Sequence, residues 1–389
     1  MVKLKILFVC VMMMSLFVRG VAQQAVSRRI CDTIHYEFIH DKIIIPVTVN
    51  GVTVKYIVDT GGTTGTIREA AVEMKAVAAG GDLGVSDMNG NRVSYQEAIL
   101  SNVQLSPNYK LAEIKSLIFP QNGFFKELGV VGLLGSDAFG QAVLTFDACE
   151  QIMIINYPYR PSGLKITEGV PMVGGVPQPF VDVDFGGVKK PVMFDTGADG
   201  LLHLFYNDYE ALKEMKSTHS LEKAFGINAL GIGGLNMDNA KEIVKVRFDE
   251  VNFLGKKFTN FESVTTRSGS SIMGVDMLKY GKVVIDYIRG RFYFFPYEDR
   301  VEDGQGKQEL WNVGILPVKG HFEVTLVWDS LKDEVALGDQ VIRINGKDLS
   351  ELGQSQLEVD ALLNAVEGNS TEIVVLKDGK EKKVKITKF

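Results

Sequence analysis

Two stretches of the chain end on residues that could do chemistry. Tyr56-Ile57-Val58-Asp59-Thr60-Gly61-Gly62 and Val192-Met193-Phe194-Asp195-Thr196-Gly197-Ala198 each run an apolar segment into Asp-Thr-Gly. A glycine at the third position lets the backbone turn sharply and lets another chain approach closely. A threonine hydroxyl beside it can lock the turn by bonding across to a twin loop. The two aspartates are then left facing each other. Carboxylates a few Å apart cannot both ionise cheaply, so such a pair shares one proton. The charged member can act as general base on a water, and the protonated member can polarise a carbonyl. That chemistry needs neither a metal nor a covalent intermediate.

The surroundings of the two stretches also repeat. Asp59 and Asp195 are 136 residues apart; Gly135 and Gly274, closing Leu133-Leu134-Gly135 and Ile272-Met273-Gly274, are 139 apart, as are Asp147 and Asp286. Three landmarks in one order at nearly one spacing predict an internal duplication, and two copies predict two lobes. Each copy opens with a strand pair leading into its aspartate, the first turned by Asn50-Gly51. Helical patches are expected at 67–77 and 205–215. Asp147 and Asp286 end equivalent strands and read as structural.

Composition bounds the rest. The chain has 389 residues, 46% of them hydrophobic, with 40 Gly against 11 Pro and a formal net charge of −6. That suits two or three turn-rich β domains, and no basic tract points to nucleic acid. Lys3 and Lys5, the apolar run 6–18 and Gly20-Val21-Ala22 before Gln23 read as a secretory signal peptide. The run is short of the roughly 20 apolar residues that a span needs, so no integral membrane segment is expected after cleavage. The cut removes Cys10 and leaves Cys31 and Cys149 as a candidate disulfide pair; two separate thiols are the alternative. The five histidines are scattered, and no Cys/His cluster, HExxH, GxSxG or phosphate-binding glycine pattern occurs, so no metal or other cofactor is expected.

The duplicated Asp-Thr-Gly, each followed by apolar-apolar-Gly, resembles the pepsin and retropepsin superfamily of aspartic peptidases over about residues 43–295. The resemblance implies a mainly β, bilobal fold of two β-barrel lobes with short helices, a cleft between the lobes, and hydrolysis of peptide bonds by water. It implies Asp59 and Asp195 as the catalytic pair, with Thr60, Gly61, Thr196 and Gly197 supporting the loops. Gly62 stands where the family usually has Ser, Thr or Ala, and this motivates an alternative, a non-catalytic peptide-binding scaffold. Tyr95 is the candidate flap aromatic, with Gly231-Ile232-Gly233-Gly234 as the matching loop of the second lobe.

Beyond a charged linker the pattern changes. Gly314-Ile315, Leu337-Gly338-Asp339-Gln340-Val341-Ile342, Ile344-Asn345-Gly346-Lys347 and Lys377-Asp378-Gly379-Lys380 resemble a small α+β PDZ domain of the type attached to bacterial exported proteases. The resemblance implies binding of peptide C-termini near Val313, Gly314 and Ile315. The expected organisation is a signal peptide at 1–22, lobes at 23–165 and 166–298, a linker at 299–312 and the PDZ-like domain at 313–389. The expected molecule is an exported monomer, periplasmic, in the cell envelope or extracellular, that acts on peptide or protein substrates.

Overall fold

The computed structural model describes residues 29–86, 89–120, 123–175, 177–227, 229, 231, 234–306, 310–351, 356–377 and 379–389. The signal-peptide reading at 1–22 lies outside them, as do Ile232, Gly233 and Asp378 of the quoted motifs.

The fold is mainly β. A six-stranded sheet joins the two halves of the molecule. Its middle is an antiparallel pair, Val143–Asp147 against Gly281–Asp286, with Leu144 opposite Ile285 and Phe146 opposite Val283. These strands alternate, and the face carrying Leu144, Phe146, Val283 and Ile285 is buried in one core with side chains from both halves. Asp147 and Asp286 end the equivalent strands; Asp147 is tied to the other half and Asp286 within its own turn. Asp147 accepts from Lys282 Nζ at 2.5 Å and from the Tyr297 hydroxyl at 3.1 Å, while Asp286 holds Arg289 at 3.1 Å.

On each side of that sheet the same strand order appears. In the first half, Lys42–Val49 and Val52–Asp59 form a hairpin turned by Asn50 and Gly51, both at positive φ, as an Asn-Gly turn requires. The second half has Phe180–Phe185 against Val188–Phe194. The helices that follow, Arg68–Glu73 and Tyr206–Leu212, are shorter than the patches the sequence suggests. The first is cut off at Lys75 (φ 56°), after which Val77 opens the next strand. Each half then sends out a long hairpin, Val77–Ser86 with Arg92–Gln104 in the first and Thr218–Gly226 with Lys241–Phe253 in the second.

The C-terminal strands, from Val313–Val318 to Lys380–Thr387, and the helix Gln356–Asn364 enclose a separate core that includes Val324, Ile344, Val359, Ile373 and Ile386. The stretch read as a linker is pinned for part of its length. Glu302 and Asp303 pair in parallel with Phe258 and Thr259. The buried Lys256 ammonium is held by the Glu298 and Arg300 carbonyls and by the Glu302 carboxylate at 2.9–3.0 Å. A buried ammonium needs such partners, and this short segment supplies all three. No described helix is long and apolar enough to cross a membrane.

The Cys31–Cys149 bridge is not formed; both thiols are free and exposed. Strand register explains this. Cys31 lies opposite Asn156, whereas Cys149 sits in the turn beyond Ile152, which faces His35. Four residues along a strand are roughly 13 Å, beyond the roughly 7 Å that a disulfide tolerates.

Candidate active site

Asp59 ends one strand and Asp195 follows its counterpart, and each strand is laid against a short parallel strand of the apolar-apolar-Gly motif. Ile57, Val58 and Asp59 align with Leu133, Leu134 and Gly135; Val192, Met193 and Phe194 align with Ser271, Ile272 and Met273. Those pairings fix where each loop leaves its sheet, and so where each carboxylate stands.

The threonines tie the loops to each other. Thr60 N–H donates to Thr196 Oγ1 at 3.2 Å, and Thr196 N–H donates to Thr60 Oγ1 at 3.0 Å. Each hydroxyl then spends its own proton on the opposite strand: Thr60 on the Phe194 carbonyl at 2.8 Å, Thr196 on the Val58 carbonyl at 2.7 Å. Both threonines are fully buried, so these four bonds form away from competing water.

The glycines let the carboxyls cross over. A Cβ on Gly61 would lie 2.4 Å from Asp195 Cγ, and one on Gly197 would lie 2.6 Å from Asp59 Cγ. Each carboxyl therefore rests on the bare backbone of the other loop. Gly62 follows the same logic, because a Cβ there would lie 2.8 Å from Asp59 Oδ2. The missing side chain at Gly62 is thus matched to where the Asp59 carboxyl sits.

The two carboxyls are not held alike. Asp195 Oδ1 accepts from Gly197 N–H at 2.7 Å and from Gly61 N–H at 3.3 Å. Asp59 Oδ1 is buried with no hydrogen-bond partner. Burial above all, then the charge of Asp195 and the hydrogen bond between the two carboxyls, push the Asp59 carboxyl well above the ordinary carboxylate range; the Gly62 amide and Lys42 offset this only in part. The arrangement therefore favours a proton on the Asp59 carboxyl.

Around the first loop stand residues that sequence reasoning missed. Asp137 Oδ1 accepts from Thr64 N–H at 3.0 Å and from Thr64 Oγ1 at 2.8 Å. Thr64 Oγ1 in turn accepts from Gly135 N–H at 3.0 Å. Ser136 Oγ donates to the Thr60 carbonyl and stands 3.1 Å from the Tyr287 hydroxyl. Ser136 and Asp137 directly follow Gly135, so adjacency to that motif was the available signal; Tyr287 offered none.

Tyr95 belongs to the first long hairpin, but its ring is only 7% exposed and packs edge-to-face on Phe119 at 5.0 Å, among Ile44, Ile57 and Leu117. What reaches the other half is the hairpin tip. Asn89 Nδ2 donates to the Ala229 carbonyl at 2.8 Å and Asn91 Nδ2 to the Gly234 carbonyl at 3.2 Å, while Asn239 Nδ2 donates to Asn91 Oδ1 at 2.6 Å. His203 contacts the Asp199 carbonyl at 2.7 Å, four residues from Asp195. Val313 and Ile315 bury their side chains in the C-terminal core, which leaves backbone groups for any ligand there. Among the described residues, no group of three or more His, Cys, Asp or Glu is placed to hold a metal ion.

Residues 45–138 match a family model described as aspartyl protease. The matched span contains Asp59, Thr60, Gly61 and Leu133-Leu134-Gly135, and it supports a protease that hydrolyses peptide bonds. Asp195 and the C-terminal unit lie outside it. A search of curated proteins finds no match to the chain.

Proposed function

We propose that the chain is an exported, single-chain aspartic endopeptidase built from two duplicated lobes, with a C-terminal PDZ-like module. The observation that carries this reading is the crossed placement of Asp59 and Asp195 within one loop pair locked by Thr60 and Thr196. In the resting state Asp195 is the charged member and Asp59 the protonated one, as their unequal partners favour. A water between them loses its proton to Asp195 as it attacks the scissile carbonyl. Asp59 donates to the carbonyl oxygen, where negative charge develops. On collapse Asp195 gives the proton it took to the leaving amine, and Asp59 takes one back from a gem-diol hydroxyl as the new carboxyl forms. The bridged tips of the two long hairpins form the roof of the cleft in this reading, and a substrate enters by parting them.

The C-terminal unit has the means to bind peptide by strand addition. Among the described residues, the strand Val313–Val318 pairs only with His321–Trp328, so its other edge is unpaired, and the helix Gln356–Asn364 packs beside it.

The test is cleavage of a peptide library by the mature protein from acid to neutral pH, beside Asp59→Ala and Asp195→Ala. Each change is expected to lower kcat by at least about 100- to 10,000-fold. Cleavage that persists in either variant removes the assignment. In this reading the exported protein begins at Gln23, which its intact mass checks.

A further inference from the structure

The catalytic loops differ in what stands behind them. The first is reached by a side chain from the opposite half. Ser136 Oγ donates to the Thr60 carbonyl, one residue beyond Asp59. A carbonyl only accepts, so that bond uses the single Ser136 hydroxyl proton. The contact at 3.1 Å between Ser136 Oγ and Tyr287 Oη therefore has the phenol as donor. Tyr287 lies in the turn between Gly281–Asp286 and Arg291–Pro296, and its backbone N–H is fixed on the Ala142 carbonyl at 3.2 Å.

Among the described residues the second loop has no matching pair of side chains. At the 139-residue offset, Ser136 corresponds to Val275 and Tyr287 to Ala148, and neither side chain can donate. Gly62 braces its own loop through backbone alone, its N–H donating to the Asp59 carbonyl at 3.2 Å and its carbonyl accepting from Ser136 N–H at 3.3 Å.

We infer that Ser136 and Tyr287 are positioning residues for the first catalytic loop: the chain Tyr287 O–H to Ser136 O–H to Thr60 C=O holds Asp59 at the distance from Asp195 that a shared proton needs. Tyr287 stays neutral in this role, because burial and the nearby Asp137, Asp195 and Asp59 carboxylates push its phenol up. The inference rests on the peptidase reading for its effect on rate, but not for its effect on the pair's proton.

Two measurements on full-length protein test it. In peptide cleavage, Tyr287→Phe and Ser136→Ala are each expected to lower kcat about tenfold with KM within about twofold. The double variant is expected to be no worse than Ser136→Ala alone, because the two side chains act as one chain. Unchanged kcat in both single variants, or losses that multiply in the double, overturn the inference. The second measurement follows the Asp59 and Asp195 carboxyl carbons by NMR across pH. Tyr287→Phe is expected to move the pair's titration, whereas superimposable curves overturn the inference even if the variant is less stable. Should the wild type cleave nothing, the peptidase reading fails on its own and the titration still decides the role of Tyr287.

Discussion

Ionising Asp59 in the folded protein places charge among buried groups and beside Asp195, so its carboxyl keeps its proton to higher pH than in the unfolded chain. Between the unfolded and folded pKa values the folded state binds more protons. Stability therefore falls as pH rises through that window. Below the ordinary carboxylate range both states are protonated and the penalty is absent; above the raised value it is complete. Asp59→Asn removes the ionisation and keeps the shape. Its Tm is expected to exceed that of the wild type at pH 7, by about 2–4 °C per kcal/mol of relieved penalty, and to converge with it near pH 3 to 4. Melting curves across pH check this, and identical curves at pH 7 would show that Asp59 carries no such penalty. The paired Asp59 and Asp195 loops were legible because Asp-Thr-Gly is a local pattern occurring twice. The pairing of Ser136 with Tyr287 was not, since the two meet across 151 residues of sequence. One serine and one tyrosine at that distance leave no spacing to read.

Strands and turns show the same divide between local and distant causes. The Asn50-Gly51 hairpin was legible because two residues determine such a turn, and both have positive φ. The Cys31–Cys149 pairing was misjudged because an even cysteine count carries no register, and register decides. The charged stretch around Glu302 looked like a linker because its charges suggest solvent. One of them, Glu302, is instead the counter-ion of the buried Lys256. Among the described residues, one edge of Val313–Val318 is unpaired. Strand addition uses backbone groups, and the free carboxylate of the incoming chain needs N–H donors at the strand's start. Peptides with a free C-terminus are expected to bind at least about tenfold more tightly than their amidated forms in fluorescence polarisation. Equal binding of the two forms would remove the PDZ-like reading while leaving the cleft untouched.

At the scale of the whole molecule, the C-terminal unit is built into the second half. Its strand His321–Trp328 continues the sheet of the second long hairpin, with Trp328 opposite Ala224, Val327 opposite Phe225 and Leu326 opposite Gly226. Trp328 and Leu326 are buried there with Ala224, Ile243 and Val264, and Leu310 and Phe389 pack against them. Buried Lys245 bridges Glu262 at 3.2 Å and the Phe389 carbonyl at 2.9 Å. The loop that follows Gly226 in the same hairpin is hydrogen-bonded at Ala229 and Gly234 to the tip of the first, so the C-terminal unit and the first hairpin both meet the second at one end. A module on a free linker would melt separately and leave an active remainder when removed. The continuous sheet predicts the opposite. A chain ending at residue 306 keeps the segment that holds Lys256 but exposes the apolar side chains of Ala224, Ile243 and Val264 and leaves Lys245 without one of its partners. It is expected to aggregate, or to lose most of its cleavage activity, although Asp59 and Asp195 remain. Trp328→Ala is expected to destabilise the full chain by about 3–5 kcal/mol and to lower the melting of the second half together with that of the C-terminal unit. Calorimetry and sedimentation of both proteins distinguish the cases. A truncated chain that stays monomeric and cleaves like the full one would make the C-terminal unit an appendage, and would detach the cleft roof from anything bound beside Val313–Val318.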